Sequence, residues 1–173
     1  MKLKRYYWIL FATLLLWSDG SSSAWAQPTL PRPSGPIILS VSGAITRTNA
    51  PGRADFDRAM LEALGLKKLT TTTAWTTGEQ HFLGISFDTL LDTVGAHGKA
   101  LSVSALNDYT FEIPMAEIKA FHPLVALKHN GAYMPVRDKG PLWIVYPRDD
   151  FPVLKERKYD YRWVWQLRRI NVR

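Results

Sequence analysis

The sequence contains no cysteine. That absence excludes disulfides, thiolate metal ligands, thiol nucleophiles and redox-active CxxC pairs together. It offers no membrane span either: the apolar run Tyr6 to Trp17 is 12 residues, against the roughly 20 that a hydrocarbon core requires. The four histidines, His81, His97, His122 and His129, lack the i, i+4 or closely paired spacings that set two imidazoles on one metal. They are expected as scattered surface residues. There is no internal repeat, and no low-complexity segment in the part expected to fold.

What is present begins with a leader pattern. Met1-Lys2-Leu3-Lys4-Arg5 precedes the apolar run, Ser18 to Ser23 is small and polar, and Ala24-Trp25-Ala26 is a small-x-small cleavage site. Residues 1–26 are therefore expected to be a signal peptide, and the mature chain to be periplasmic or secreted. Removing Lys2, Lys4, Arg5 and Asp19 with it lowers the net charge from +7 to +5. Export and the reduced charge argue against nucleic acid as a partner. Residues 27–36 carry Pro28, Pro31, Pro33 and Pro36, which predicts an extended tether. Residues 37–173 then suffice for one domain with its own core.

The pattern within that domain is α+β. Ile37 to Ile45 reads as a first strand. From Asp55, the spacing of Phe56, Ala59, Met60, Ala63 and Leu64 predicts a short amphipathic helix stopped by Gly65. A second helix has Ser86 as N-cap, Phe87, Leu90, Leu91 and Val94 as its apolar face, and Gly95 as its stop. Between the helices, Leu69 to Trp75 is β-branched and predicts a strand entering a polar loop, Thr76 to Gln80. Leu101 to Leu106 and Tyr109 to Ile113 predict adjacent strands, and Pro114 to Phe121 a helical turn. Asn130-Gly131 between Leu124–His129 and Ala132–Val136 is a hairpin signal, with Pro135 expected on an edge. Leu142 to Tyr146 is continuously apolar and predicts a strand buried on both faces. Arg148 to Lys158 is expected as a surface loop, and Tyr161 to Val172 as a closing strand.

Three segments carry candidate chemistry. Gly84-Ile85-Ser86-Phe87-Asp88 approaches a hydrolase nucleophile elbow, but an aspartate replaces the second glycine that the sharp turn requires, so Ser86 is better explained as a helix cap. Arg157 to Arg169 interleaves bases with aromatics as single-strand nucleic-acid platforms do. An amphipathic core strand with outward arginines accounts for it more simply. Asn107-Asp108-Tyr109 and Pro135 to Pro141 place polar residues at junctions between apolar strands, where sites are built. Turn chemistry alone explains such residues too, yet Arg137 and Lys139 beside a glycine could hold an oxyanion.

The order of Thr70 to Trp75, Phe82 to Leu91, Leu106 to Tyr109, His129 to Met134 and Gly140 to Pro147 resembles the molybdopterin-binding domain of the sulfite-oxidase type. The resemblance implies mixed β-sheets with a few short helices and a cofactor pocket. It also implies a molybdenum-ligating cysteine after the Thr-rich strand, where this chain has Ala74-Trp75-Thr76-Thr77-Gly78. Thr and Trp cannot replace a thiolate, so conventional thiolate-ligated molybdenum is not expected. The expectation is an exported, non-catalytic module for a small anionic ligand or an exported protein partner, at a pocket of Trp75, Asn107, Asp108, Tyr109, Arg137 and Lys139. The alternative is a molybdopterin-dependent oxidoreductase, or a subunit of one, that binds the cofactor without a thiolate.

Overall fold

The computed structural model describes residues 29–173. The residues expected as signal peptide and the start of the expected tether lie outside them. Within residues 29–173, ten strands are interspersed with three α-helices, as the α+β class requires. Among the described residues no helix is long and apolar enough to cross a membrane.

The first sheet has the order β2-β1-β10-β5-β6. It is built from β1 (Leu39–Gly43), β2 (Arg53–Phe56), β5 (Ala100–Ala105), β6 (Thr110–Pro114) and β10 (Leu167–Val172). The closing strand β10 runs parallel to β1 and antiparallel to β5. The second sheet has the order β3-β4-β7-β8, with β9 also paired to β7. Its strands are β3 (Lys67–Thr71), β4 (Gln80–Ser86), β7 (Leu124–His129), β8 (Ala132–Tyr133) and β9 (Trp143–Val145). Every residue of β9 is buried, as its unbroken apolar run requires. The β7–β8 turn is Asn130-Gly131 with φ of 48° and 85°, the left-handed pair that a two-residue hairpin needs.

Helix α1 (Arg58–Ala63) follows β2, α2 (Phe87–Val94) packs on β4, and α3 (Met115–Phe121) packs on β5 and β6. One apolar core joins the layers. It includes Leu39, Val41, Leu90, Val103, Trp143 and Ile170, all fully buried. Each side chain of that kind contributes roughly 1.5–3 kcal/mol relative to exposure.

The sheets are tied together by the last crossing of the chain. Ile144 N–H donates to Val164 O at 3.0 Å, and Leu167 N–H donates to Leu142 O at 2.9 Å. Residues 164–167 therefore run beside β9 in the second sheet before entering the middle of the first as β10.

Several expectations are corrected. The first helix begins at Arg58, because Asp55 and Phe56 are ladder residues of β2 and Asp57 is the cap, accepting from Met60 N–H at 2.9 Å. Ser86 occupies the N-cap position of α2 without a side-chain capping bond, its hydroxyl lying 3.4 Å from Asp88 instead. The Thr-rich strand ends at Thr71, since Thr72 bonds to Asp149 rather than to a ladder. Strand β4 starts inside what was expected as loop and contains Gly84, whose missing side chain lets β7 approach: a Cβ there would meet Val125 O and lie 2.6 Å from Ala126 Cα. Pro135 is not in a strand, its carbonyl closing a turn to Asp138 and Gly140 N–H. The closing strand begins at Leu167, not Tyr161: Gln166 takes φ 52°, turning the chain, and its side chain is held by the carbonyls of Val136 and Asp138. Pro152–Lys155 and Arg157–Arg162 are 3-10 turns, in place of an open loop and the start of that strand.

The proline-rich stretch is held against the body. Leu30 N–H donates to Thr48 O, and Ser34 and Gly35 N–H both donate to the Asp57 carboxylate at 2.8 Å.

Candidate ligand-binding cleft

A cleft of about 470 Å³ opens where the two sheets meet. Three pieces of chain wall it: the loop after β3, the β5–β6 turn, and residues 157–165.

The first wall is a hydrogen-bonded loop. Trp75 N–H donates to Thr73 Oγ1 at 3.0 Å, and Thr73 Oγ1 is 2.7 Å from Thr76 Oγ1. Gln80 closes the loop behind them. Its Nε2 donates to the carbonyls of Thr77, Gly78 and Glu79, while its Oε1 accepts from His129 Nε2 at 2.7 Å and Asn130 Nδ2 at 3.2 Å. That acceptor role makes Nε2 of His129 the protonated nitrogen. Burial, and then the charge of Lys139, hold the His129 pKa below its usual 6.5. At the loop's entrance Asp149 accepts from Thr72 N–H at 2.6 Å and Thr72 Oγ1 at 2.8 Å, and the backbone bond is the chief cause of its lowered pKa.

The second wall is the tight turn Leu106 to Tyr109. Asn107 Oδ1 accepts from Tyr109 N–H at 3.2 Å, and Asp108 adopts φ 63°, a conformation that aspartate tolerates better than most residues.

The third wall is the 3-10 turn and the crossing segment. Arg162 Nε donates to the Glu117 carboxylate at 2.6 Å, and Tyr146 Oη donates to the same carboxylate at 2.9 Å. Burial and that neighbouring carboxylate push the Tyr146 pKa well above 10.0. Trp163 is the floor, 3% exposed, with its indole N–H unpartnered and its carbonyl accepting from Trp143 Nε1 at 3.2 Å.

The rings interlock. Trp75 lies 5.8 Å from Trp163 at 57° and 5.5 Å from Trp165 at 82°. Edge-on contacts of this kind add about 0.5–1.5 kcal/mol each beyond area burial. Four lining aromatics nonetheless stay open to solvent: Trp75 (38%), Trp165 (36%), Tyr109 (45%) and Tyr161 (59%). Concentrating exposed rings in one concavity marks a recognition surface. Asn107, Arg157 and Asp160 provide the polar groups of the lining.

Of the six residues singled out from sequence, Trp75, Asn107 and Tyr109 come together here. Asp108 does not line the cleft; it faces Arg169 on β10 and its side chain is 80% exposed. Arg137 and Lys139 lie outside the lining as well. Arg137 is exposed, and Lys139 pairs with Asp138 at 3.0 Å and sits 5.7 Å from the Trp143 ring. The residues missed are Arg157, Asp160, Tyr161, Trp163 and Trp165. Their signal was visible, since they lie in the interleaved basic and aromatic run. Reading that run as continuous strand hid them.

Among the described residues no three His, Asp or Glu side chains converge as a metal-ligating group. The cleft offers one guanidinium, one carboxylate and one side-chain amide, with no thiolate. This donor set does not fit a thiolate-held molybdenum centre. The chain matches no model of a known protein family and no curated protein.

Proposed function

We propose that this chain is an exported, non-catalytic binding module that takes a small ligand into the aromatic cleft, on a fold of sulfite-oxidase type without the metal-ligating thiolate. The observation that carries the reading is the convergence of four solvent-open aromatic rings on one cavity of about 470 Å³. That volume falls within the range of small-molecule sites. A mixed α+β architecture with two sheets agrees with the fold. The expectation of an anionic ligand rested on Arg137 and Lys139, and with both outside the lining Arg157 is the one cation there, opposed by Asp160.

The test is purification of the processed protein from a host that makes molybdopterin, followed by metal analysis and ligand titration by tryptophan fluorescence. Metal-free protein whose fluorescence saturates with a small ligand, a response lost in Trp75→Ala, supports the module. Stoichiometric molybdenum with released pterin overturns it in favour of an oxidoreductase.

A further inference from the structure

Building on that reading, we propose that the ligand is a neutral pyranose sugar, a monosaccharide or one end of a short glycan. The polar lining is balanced: Arg157 contributes a cation, Asp160 an anion, and Asn107 a group that both donates and accepts. None of the three is an ionic partner of another residue among the described ion pairs. A cationic ligand would meet Arg157, and an anionic one would meet Asp160. Hydroxyl groups suit all three, because each hydroxyl donates one hydrogen bond and accepts others.

The aromatic geometry selects further. A flat heterocycle is gripped best between parallel rings, but Trp75 meets Trp163 and Trp165 at 57° and 82°. Neither pairing of Trp75 is a parallel slot. Trp75 and Trp165 each remain partly open to solvent. A pyranose suits such a ring: its C–H side is apolar and rests on one indole or phenol, while its hydroxyls project from the rim toward polar side chains. Trp and Tyr are fitted to this role because each has an apolar body with a polar tip.

The experiment titrates the full processed chain with glucose, galactose, N-acetylglucosamine, maltose and cellobiose, using tryptophan fluorescence and saturation-transfer NMR. Benzoate and tetramethylammonium serve as the anionic and cationic comparators. The expected result is saturable binding of at least one sugar, with transfer strongest to ring C–H protons and no saturation by either comparator. Trp75→Ala and Asn107→Ala should each weaken sugar binding by at least about tenfold, while Arg137→Ala, outside the cleft, leaves it unchanged. Asn107→Ala alters an exposed turn residue, so it keeps the test informative if Trp75→Ala folds poorly. Saturation by benzoate or tetramethylammonium with no response to any sugar overturns the sugar assignment and leaves the cleft reading standing. No saturation by any of the seven compounds overturns both.

Discussion

Arg162 and Glu117 join two parts of the chain 45 residues apart, with Nε to carboxylate at 2.6 Å and both side chains largely withdrawn from water. The pair fastens α3 to the 3-10 turn that carries Arg157, Asp160 and Tyr161 to the cleft. The Arg162 guanidinium also lies 4.7 Å from the Tyr159 ring and donates to Lys158 O at 2.5 Å, so the turn is gripped from within as well.

Glu117→Ala strands both Arg162 and the Tyr146 hydroxyl. A loss of about 2–4 kcal/mol is expected, because removing one member of a buried pair leaves the other uncompensated. Urea unfolding measures it. Glu117→Gln, which still accepts from Tyr146, should recover part of the loss, and an unchanged midpoint in Glu117→Ala would show that the latch is idle.

Gly84 permits the close approach of β4 and β7. Gly84→Ala places a methyl against Val125 O and the backbone of Ala126, where nothing flexible can yield. Destabilisation of at least about 2 kcal/mol is expected in denaturant unfolding. Wild-type stability in this variant would contradict the register described for the two strands.

Asp57 accepts the N–H groups of Met60, Gly35 and Ser34, and these hold its carboxyl below the ordinary 3.8. A depressed carboxyl pKa contributes stability that is present above the unfolded value and is lost as pH falls through the folded one. Tm should therefore decline below about pH 4, with Asp149, bonded by Thr72, acting in the same direction. Asp57→Asn should have a lower Tm at pH 7 and a shallower decline toward pH 3. Parallel Tm curves for the two proteins would rule out this linkage.

His129 is depressed by burial and by Lys139. Its unfolded form takes up a proton near 6.5 while the folded form still resists, so stability is fully present above that pH and is lost as pH falls through the window just below it. His129→Gln, which can still donate to Gln80, should remove this component of the Tm profile between about pH 7 and pH 5. Persistence of the full component would rule His129 out as its source.

Much of the secondary structure was legible because its causes are local. The Asn130-Gly131 turn, the Gly95 stop with φ 63°, and the apolar face of α2 all depend on residues a few positions apart. Elements whose causes are distant were misplaced. Gly84 reads as part of a near-miss nucleophile elbow until β7 is beside it, and Phe56 fits a helical spacing until β1 pairs with it. Three of the six expected residues line the cleft: Asn107 and Tyr109, singled out at a strand junction, and Trp75, which entered the expected pocket with the family resemblance. Arg137 and Lys139 had the same local credentials and lie elsewhere, since sequence cannot say which junctions share an edge of the molecule.

The sequence by itself determined the chemistry available: no thiolate, and a store of tryptophan and tyrosine. It also determined the alternation of strand and helix, through periodicity and turn residues. Only the tertiary structure decided where the aromatics meet. The chain turns at Gln166, runs Val164 to Leu167 along β9 and then enters the first sheet as β10, which brings Trp163 and Trp165 against Trp75 from 88 residues or more away. Such a meeting depends on backbone bonds between sheets and on packing of the shared core, and neither leaves a periodic trace in the sequence.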